Sequence, residues 1–312
     1  MESGSNIPCL QETKRQEFSQ AYLKNFCPPN FDEFHFLPSN GASGGILVSW
    51  QGASFSGEVI FQNEYAVSIS FTSHMNEDTW VLTTVYAPCT YEGKRQFLNW
   101  FHSIQMPDEI NWLIVGDFNL IRRPEDRNKE GGDIQEMYLF NEAINSLGLI
   151  EIPLHGRKYT WTNKQTEPLL ERLDWFFSSA SWTLSYPNTA AKTLLMETSD
   201  HWPCVIEIST SIPRAQVFRF ENCWLMIDSF LPTAQQNWSI PTAATDSAKN
   251  ITAKFKNLRR ILRTWKTSIS SLKLLIQRVK SLIYLLESIE LLRDLSIQEW
   301  NFRNILCDDH SP

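Results

Sequence analysis

The sequence predicts an α/β protein built from two packed β-sheets with helices outside them, followed by a separate helical region. Three observations predict it. Strand-like runs outnumber helical ones over the first 210 residues, and short turns alternate with longer helical connections between them. The hydrophobic share is 42% with twelve tryptophans, enough to fill a core in a chain of 312 residues. Beyond Pro213 the pattern changes to long helical periodicity.

In chain order, Ile7–Leu10 is a short apolar run that ends at Gln11-Glu12-Thr13 and reads as a strand end. Phe18, Tyr22 and Phe26 are spaced four apart, which predicts a helix over 14–26. Phe34–Leu37 alternates into a glycine-containing loop at 38–45, Ile46–Trp50 is a strand, and 57–73 reads as a hairpin around Gln62-Asn63-Glu64. Thr79–Ala87 alternates and is β-branched, so it is a strand, with Tyr86 and Pro88 at its end. A helix is expected over 92–104, and another over 135–147 with Gly148 as its stop. Further strands are expected at Trp112–Val115, Leu149–Ile152, Tyr159–Asn163, Leu173–Phe177, Thr193–Met196 and Cys204–Ile208, and 120–134 reads as a charged surface loop.

Net charge is −7, but unevenly spread. Residues 1–245 carry 28 acidic against 16 basic side chains; residues 246–306 carry 5 against 12. An acidic body is not the profile of a general nucleic-acid binder, yet an enzyme acting on phosphodiesters can take local positive charge from metal ions. No run of eighteen apolar residues occurs and Met1–Pro8 has no signal-peptide core, so an intracellular protein, nuclear or cytoplasmic and without a membrane span, is expected. The six cysteines have no C-x-x-C spacing and are expected to be free thiols. Over 246–306, Ile269, Leu272, Ile276, Val279, Ile283 and Leu286 form a heptad seam opposite a basic face. That predicts a helical hairpin or coiled coil for a protein partner or self-association, with a nucleic-acid cradle as the sharper alternative.

The residues able to do chemistry lie at strand ends. Glu12, Asp117, Asp174 and Asp200 are acidic residues at strand termini or in short turns, and His201 follows Asp200 in a loop bounded by Pro203. Asp117 and Asn119 are two apart after an apolar run broken by Gly116, so in an extended backbone they face one side. A carboxylate and an amide placed so suit a metal or a phosphate; a strand followed by an Asx-turn would look the same. Carboxylate oxygens suit Mg²⁺ or Mn²⁺, and a histidine can exchange a proton with water. No G-x-S-x-G, phosphate-binding P-loop or H-E-x-x-H occurs, so acyl transfer, P-loop nucleotide hydrolysis and zinc peptidase chemistry have no support.

Gln11-Glu12-Thr13, Tyr86-Ala87-Pro88, Gly116-Asp117-Phe118-Asn119, Arg172-Leu173-Asp174 and Ser199-Asp200-His201-Trp202-Pro203 resemble, in order, the motifs of the endonuclease/exonuclease/phosphatase superfamily. That family includes apurinic/apyrimidinic endonucleases, pancreatic DNase and inositol-polyphosphate phosphatases. The resemblance covers about residues 7–210. Ser43-Gly44-Gly45-Ile46, Tyr159–Asn163 and the stretch Phe218–Leu225 are most similar to plant LINE-type retrotransposons, whose linker before the reverse transcriptase the tail resembles. The resemblance implies a four-layered α/β sandwich of two mixed sheets flanked by helices over 1–212, a linker over 213–245 and an appended basic helical region over 246–306.

For the site, the resemblance implies a Mg²⁺-dependent phosphodiesterase, most closely an endonuclease nicking DNA. Glu12 would ligate the metal, with Asp200 as a further metal-site carboxylate. His201, oriented by Asp174, would activate water or stabilise the phosphorane. Asp117 would position water or shuttle a proton, and Asn119 and Tyr86 would hold the scissile phosphate. Family members begin with a strand ending in a Trp-Asn turn well upstream of the metal-binding glutamate, whereas eleven residues precede Glu12 and Asn6 is too close to serve. The expectation is that nuclease on an N-terminally shortened domain, and the alternatives are a catalytically impaired remnant that acts at most as a binding or structural protein, or a phosphatase of the same fold.

Overall fold

The computed structural model describes residues 5–28, 30–41, 44–105, 109–195, 199–208, 224–225, 227–242, 246–268 and 270–308, with the side chains of 267–278 and 307–308 left aside. The chain forms two compact units: Met1–Ser211 with Leu286–Pro312, and Ile212–Leu285.

The first unit opens with β1 (Cys9–Gln11), α1 (Gln20–Leu23), β2 (Glu33–Leu37), β3 (Ile46–Trp50), β4 (Phe55–Gln62), β5 (Ala66–Ser73) and β6 (Thr79–Tyr86). It continues with α2 (Tyr91–Ser103), β7 (Trp112–Asp117), α3 (Ile134–Ser146), β8 (Ile150–Glu151), β9 (Leu154–His155), β10 (Trp161–Thr162), β11 (Leu170–Glu171), β12 (Asp174–Ser178), α4 (Ala180–Ser185), β13 (Ala190–Thr193) and β14 (Cys204–Glu207). A six-stranded sheet runs β4-β5-β6-β7-β12-β8. Its one parallel pair, β6–β7, is joined through α2, and its other pairs are antiparallel. Two three-stranded sheets, β1-β3-β2 and β14-β13-β9, and the β10–β11 hairpin complete the β-structure.

Strand alternation explains why the large sheet is buried on both faces. Val81, Val85, Trp112, Ile114, Trp175 and Phe177 face a core shared with α2 and α3 through Phe97, Phe101 and Phe140. Their neighbours Trp80, Leu82, Leu113, Val115 and Phe176 face the opposite core, with Ile46 and Val48 of β3, Ala191 of β13, and Cys9, Cys204 and Ile206 at its margin. Outside β2 and β3, Leu23, Cys27 and Phe31 form a further cluster with Phe34. The result is the expected layered α/β sandwich. Cys9, Cys27, Cys89 and Cys204 are free thiols. Among the described residues no helix is long and apolar enough to cross a membrane.

The hairpin turns at Asn63, whose Oδ1 accepts from the amides of Tyr65 and Ala66 at 3.0 and 2.9 Å. The helix expected over 14–26 shrinks to the four residues of α1, started by a Ser19 cap that accepts from Tyr22 N at 3.2 Å. Aromatic spacing there reflects packing instead: Tyr22 stacks edge-on with Phe18 and Phe26, and the Arg15 guanidinium lies 3.8 Å from the Tyr22 ring.

Gly116 is fixed by close approach. Its φ is +141°, and a Cβ there would lie 2.0 Å from the Val85 carbonyl oxygen across the β6–β7 ladder. Backbone cannot yield as a side chain can, so Gly116→Ala is expected to lower unfolding free energy by at least ~2 kcal/mol. An unchanged denaturant midpoint would contradict this.

The second unit contains α5 (Phe230–Trp238), α6 (Ser247–Ser268) and most of α7 (Ser270–Glu290); α8 (Ile297–Asp308) belongs with the first unit. Trp224, Phe230, Leu262 and Trp265 form its core. Of the predicted heptad seam, Ile283 and Leu286 are buried, while Ile269 and the side chains of Leu272 and Ile276 lie outside the described residues. Residues 218–223 of the tail motif, and Ser43, also lie outside them.

Candidate active site

Strand register assembles the site. Tyr86, the last residue of β6, is paired with Asp117, the last of β7, and Asp117 is paired with Asp174, the first of β12. Directly paired residues on adjacent strands project to the same face. Asp117 is two residues from Val115, and Asp174 two from Phe176, so all three side chains emerge on the face that packs towards the smaller sheets. Gln11 of β1 reaches this face from the other side, donating to Thr84 Oγ1 at 2.8 Å.

His201 is delivered by a loop that the aromatic segment 159–163 brackets. Trp202 N donates to Thr160 O at 2.8 Å, Thr162 N donates to Asp200 O at 3.0 Å, and Trp161 and His201 form an isolated antiparallel bridge. Ser199 Oγ accepts from His201 N at 3.0 Å. In this position His201 Nδ1 lies 2.9 Å from Asp174 Oδ2, and Nε2 lies 3.6 Å from Asp117 Oδ2. Thr160, fully buried, was not singled out in the sequence. Its Oγ1 accepts from the amides of Leu173 and Asp174 at 3.1 and 3.0 Å, so one residue holds both the carboxylate strand and the histidine loop. A fully buried threonine leaves no local mark in a sequence beyond its β-propensity.

Electrostatics follow from this crowding. Burial and the adjacent Asp174 charge raise Asp117 to about 7, against the lowering influence of His201 and the Asn119 amide. Burial by itself would lower His201; the hydrogen bond and charge of Asp174, with Asp117 and Asp200, outweigh it and bring the imidazole to about 9. Tyr86 is pushed up by burial and by the charges of Glu12 and Asp117.

Asn119 takes φ +49° and is pinned there. Its amide N donates to Asp117 Oδ1 at 2.9 Å, and its Nδ2 to Ala87 O at 2.7 Å and Asp117 Oδ2 at 3.2 Å. The Asx-turn and the site geometry therefore coexist at 117–119. Glu12 also has positive φ, +51°, an uncommon state for a non-glycine residue and one that concentrates at functional sites. Its carboxylate pairs with Lys14 at 3.2 Å in an exposed position, and it lies close enough to Tyr86 and Asp117 to shift both. Asp200 is engaged differently: its Oδ2 accepts from Trp161 Nε1 at 3.0 Å.

Asp117, Asp174 and His201 bring ligand-type atoms within 4.8 Å of one another. The Nδ1–Asp174 bond gives the imidazole a relay geometry more than a metal cage. A divalent cation nonetheless fits the surroundings. Glu12, Asp117, Asp174 and Asp200 supply hard oxygen donors, and the Asp117 carboxylate is held protonation-prone first by burial and then by the Asp174 charge, which a cation would offset.

No family model matches the chain, and no curated protein matches it. Among solved structures, the endonuclease domain of TRAS1, a telomere-specific non-LTR retrotransposon, aligns at 13% identity over 67% of this chain and 88% of that one, with a TM-score of 0.48. A humanized D. rerio TDP2 with 14 mutations aligns at 15% over 65% and 85%, TM-score 0.40. The Bacteroides thetaiotaomicron mannosyl-6-phosphatase Bt3783 aligns at 12% over 65% and 84%, TM-score 0.40.

Proposed function

We propose that this chain is a metal-dependent phosphodiesterase that nicks DNA. The observation that carries the proposal is the aligned row Tyr86–Asp117–Asp174 with His201 Nδ1 bonded to Asp174 and Nε2 turned to Asp117. Five sequence motifs that follow one another in the order the superfamily shows, three of them joined in register at Tyr86, Asp117 and Asp174, support it.

Glu12 and Asp200 are the carboxylates that would hold Mg²⁺, or Mn²⁺ in its place, which supplies charge neutralisation at the phosphate and a more acidic water. This chain's own residues do the rest. Asp174 fixes the imidazole tautomer and orientation. With its pKa lifted to about 9, His201 is an imidazolium at neutral pH, suited to donating to a phosphate oxygen as negative charge builds there. Asp117, buried with its Oδ2 3.6 Å from His201 Nε2, is the group placed to take a proton from the attacking water. The Tyr86 hydroxyl is the neutral donor for the phosphate, and Asn119, whose Nδ2 donates to Ala87 O and Asp117 Oδ2, holds the Asp117 carboxylate in place.

Supercoiled plasmid is expected to be relaxed in Mg²⁺ and left intact in EDTA. Nicking that persists in EDTA would overturn metal dependence. Release of inorganic phosphate from monoesters without nicking would replace the nuclease assignment with a phosphatase.

A further inference from the structure

Behind the histidine loop lies a buried network of charges that the chemistry above does not use. Arg157 follows β9 and is 4% exposed. Its Nη1 donates to Glu287 O at 2.7 Å, and its Nη2 to Glu290 Oε2 at 3.3 Å. Glu290 Oε1 accepts from Arg303 Nη1 at 2.7 Å, and Glu287 Oε2 lies 3.9 Å from Arg157. Glu287, Glu290 and Arg303 are buried as well, so two cations and two anions are enclosed together. All four belong to the first unit, although Glu287, Glu290 and Arg303 come from the end of α7 and from α8, some 130 residues after Arg157.

The free face of the guanidinium is the informative part. Arg157 Cζ sits 3.8 Å from the centroid of Trp202, the residue after His201. Trp202 is fully buried with Tyr159 and Leu170, and Leu291, just past α7, packs on the same cluster. Trp202 N is bonded to Thr160 O, and Thr160 Oγ1 holds the Asp174 amide. A continuous path therefore runs from the C-terminal helices through Arg157 to both partners of the His201–Asp174 pair. Buried ion networks are weak sources of net stability, but their directional bonds fix geometry. A planar guanidinium bonded on its edge to the Glu287 carbonyl and the Glu290 carboxylate, with its Cζ 3.8 Å over an indole, constrains that indole as a lysine cannot.

We propose that Arg157, held by Glu287 and Glu290 of the C-terminal helical segment, is a positioning residue that sets the Trp202 plane and thereby the placement of His201 against Asp174. The C-terminal segment is then part of the working site. This rests on the assignment of His201 and Asp174 to phosphodiester cleavage, and the test separates the two.

The experiment uses the full chain with Arg157→Lys, which keeps the charge and loses the flat fork. Nicking kcat is expected to fall about tenfold with KM within about twofold, since a small displacement of a reacting group acts on the transition state and not on substrate affinity. Amide hydrogen exchange at Trp202 and Asp174 is expected to speed up about tenfold, with Thr84 in the core of the large sheet unchanged. A folded Arg157→Lys protein with wild-type kcat and wild-type exchange at Trp202 and Asp174 would overturn the proposal. If Arg157→Lys does not fold, Glu290→Gln, which preserves shape and weakens the clamp, reads the same quantities. A wild-type chain that never nicks DNA removes the nuclease assignment, and the exchange comparison still decides the role of Arg157.

Discussion

A His201→Ala protein is expected to nick plasmid ~10²–10⁴-fold more slowly than wild type while binding DNA with similar affinity. The loss has two sources. The variant lacks the cation that faces the developing charge, and Asp174 loses the group it orients at 2.9 Å. Asp174→Asn should reproduce much of the effect with the imidazole still present, because an amide neither stabilises the imidazolium nor enforces one tautomer. The variant's stability should differ with pH in a defined direction. A histidine raised from 6.5 to about 9 contributes stability that is fully present below pH 6.5 and is lost as pH climbs through about 9. The destabilisation of His201→Ala relative to wild type should therefore be larger at pH 6 than at pH 10, where only the pH-independent loss of packing and of the Asp174 bond remains. A nicking rate within tenfold of wild type would remove His201 from the chemistry and leave the Asp174 contact as a loop anchor.

The parts of this site that could be read from the sequence are those written in local pattern. Apolar alternation in β5, β6, β7 and β12 gave the large sheet, because a strand buried on both faces carries a long run of apolar residues that nothing else mimics. Asp117 and Asp174 were legible because one closes such a run and the other opens one. Of the two-residue strands, β8 and β10 fall inside expected segments, while β9 and β11 do not: periodicity needs more residues than they contain, and they exist through pairings such as Glu171 with Trp161. The region 14–26 shows the opposite failure, where i, i+4 aromatics imitate a helix but serve a ring cluster around Arg15. Thr160 and Arg157 were invisible for a different reason. One is an ordinary threonine and the other an arginine after a glycine, and each matters through bonds to residues 13 to 133 positions away. Long-range pairing of that kind has no signature within a sequence window.

Asp117→Asn is expected to cost activity and change the dependence of stability on pH. Activity should fall on the order of 100-fold, because the amide cannot accept the proton assigned to it. For stability, the carboxylate is raised from 3.8 to about 7, chiefly by burial and then by Asp174. Between those values the folded chain holds more proton than the unfolded one, so this group favours the folded state below pH 3.8 and that contribution is lost as pH rises through about 7. The residue is only 5% exposed, so solvent does little to screen the effect. The associated loss between pH 4 and pH 8 is on the order of 2–4 kcal/mol in metal-free wild type. Asparagine does not ionise, so the variant should lack that part of the decline. A constant offset is also expected, since the second amide cannot accept from Asn119 Nδ2, now 3.2 Å from Oδ2, although Oδ1 can still accept from Asn119 N. Urea unfolding of both proteins in EDTA across this range cancels the titrating groups that do not interact with Asp117, and the remaining difference belongs to Asp117 together with His201, which its charge helps to raise. Parallel stability profiles would show that Asp117 ionises without penalty in the folded chain, and would shift the role of base away from it.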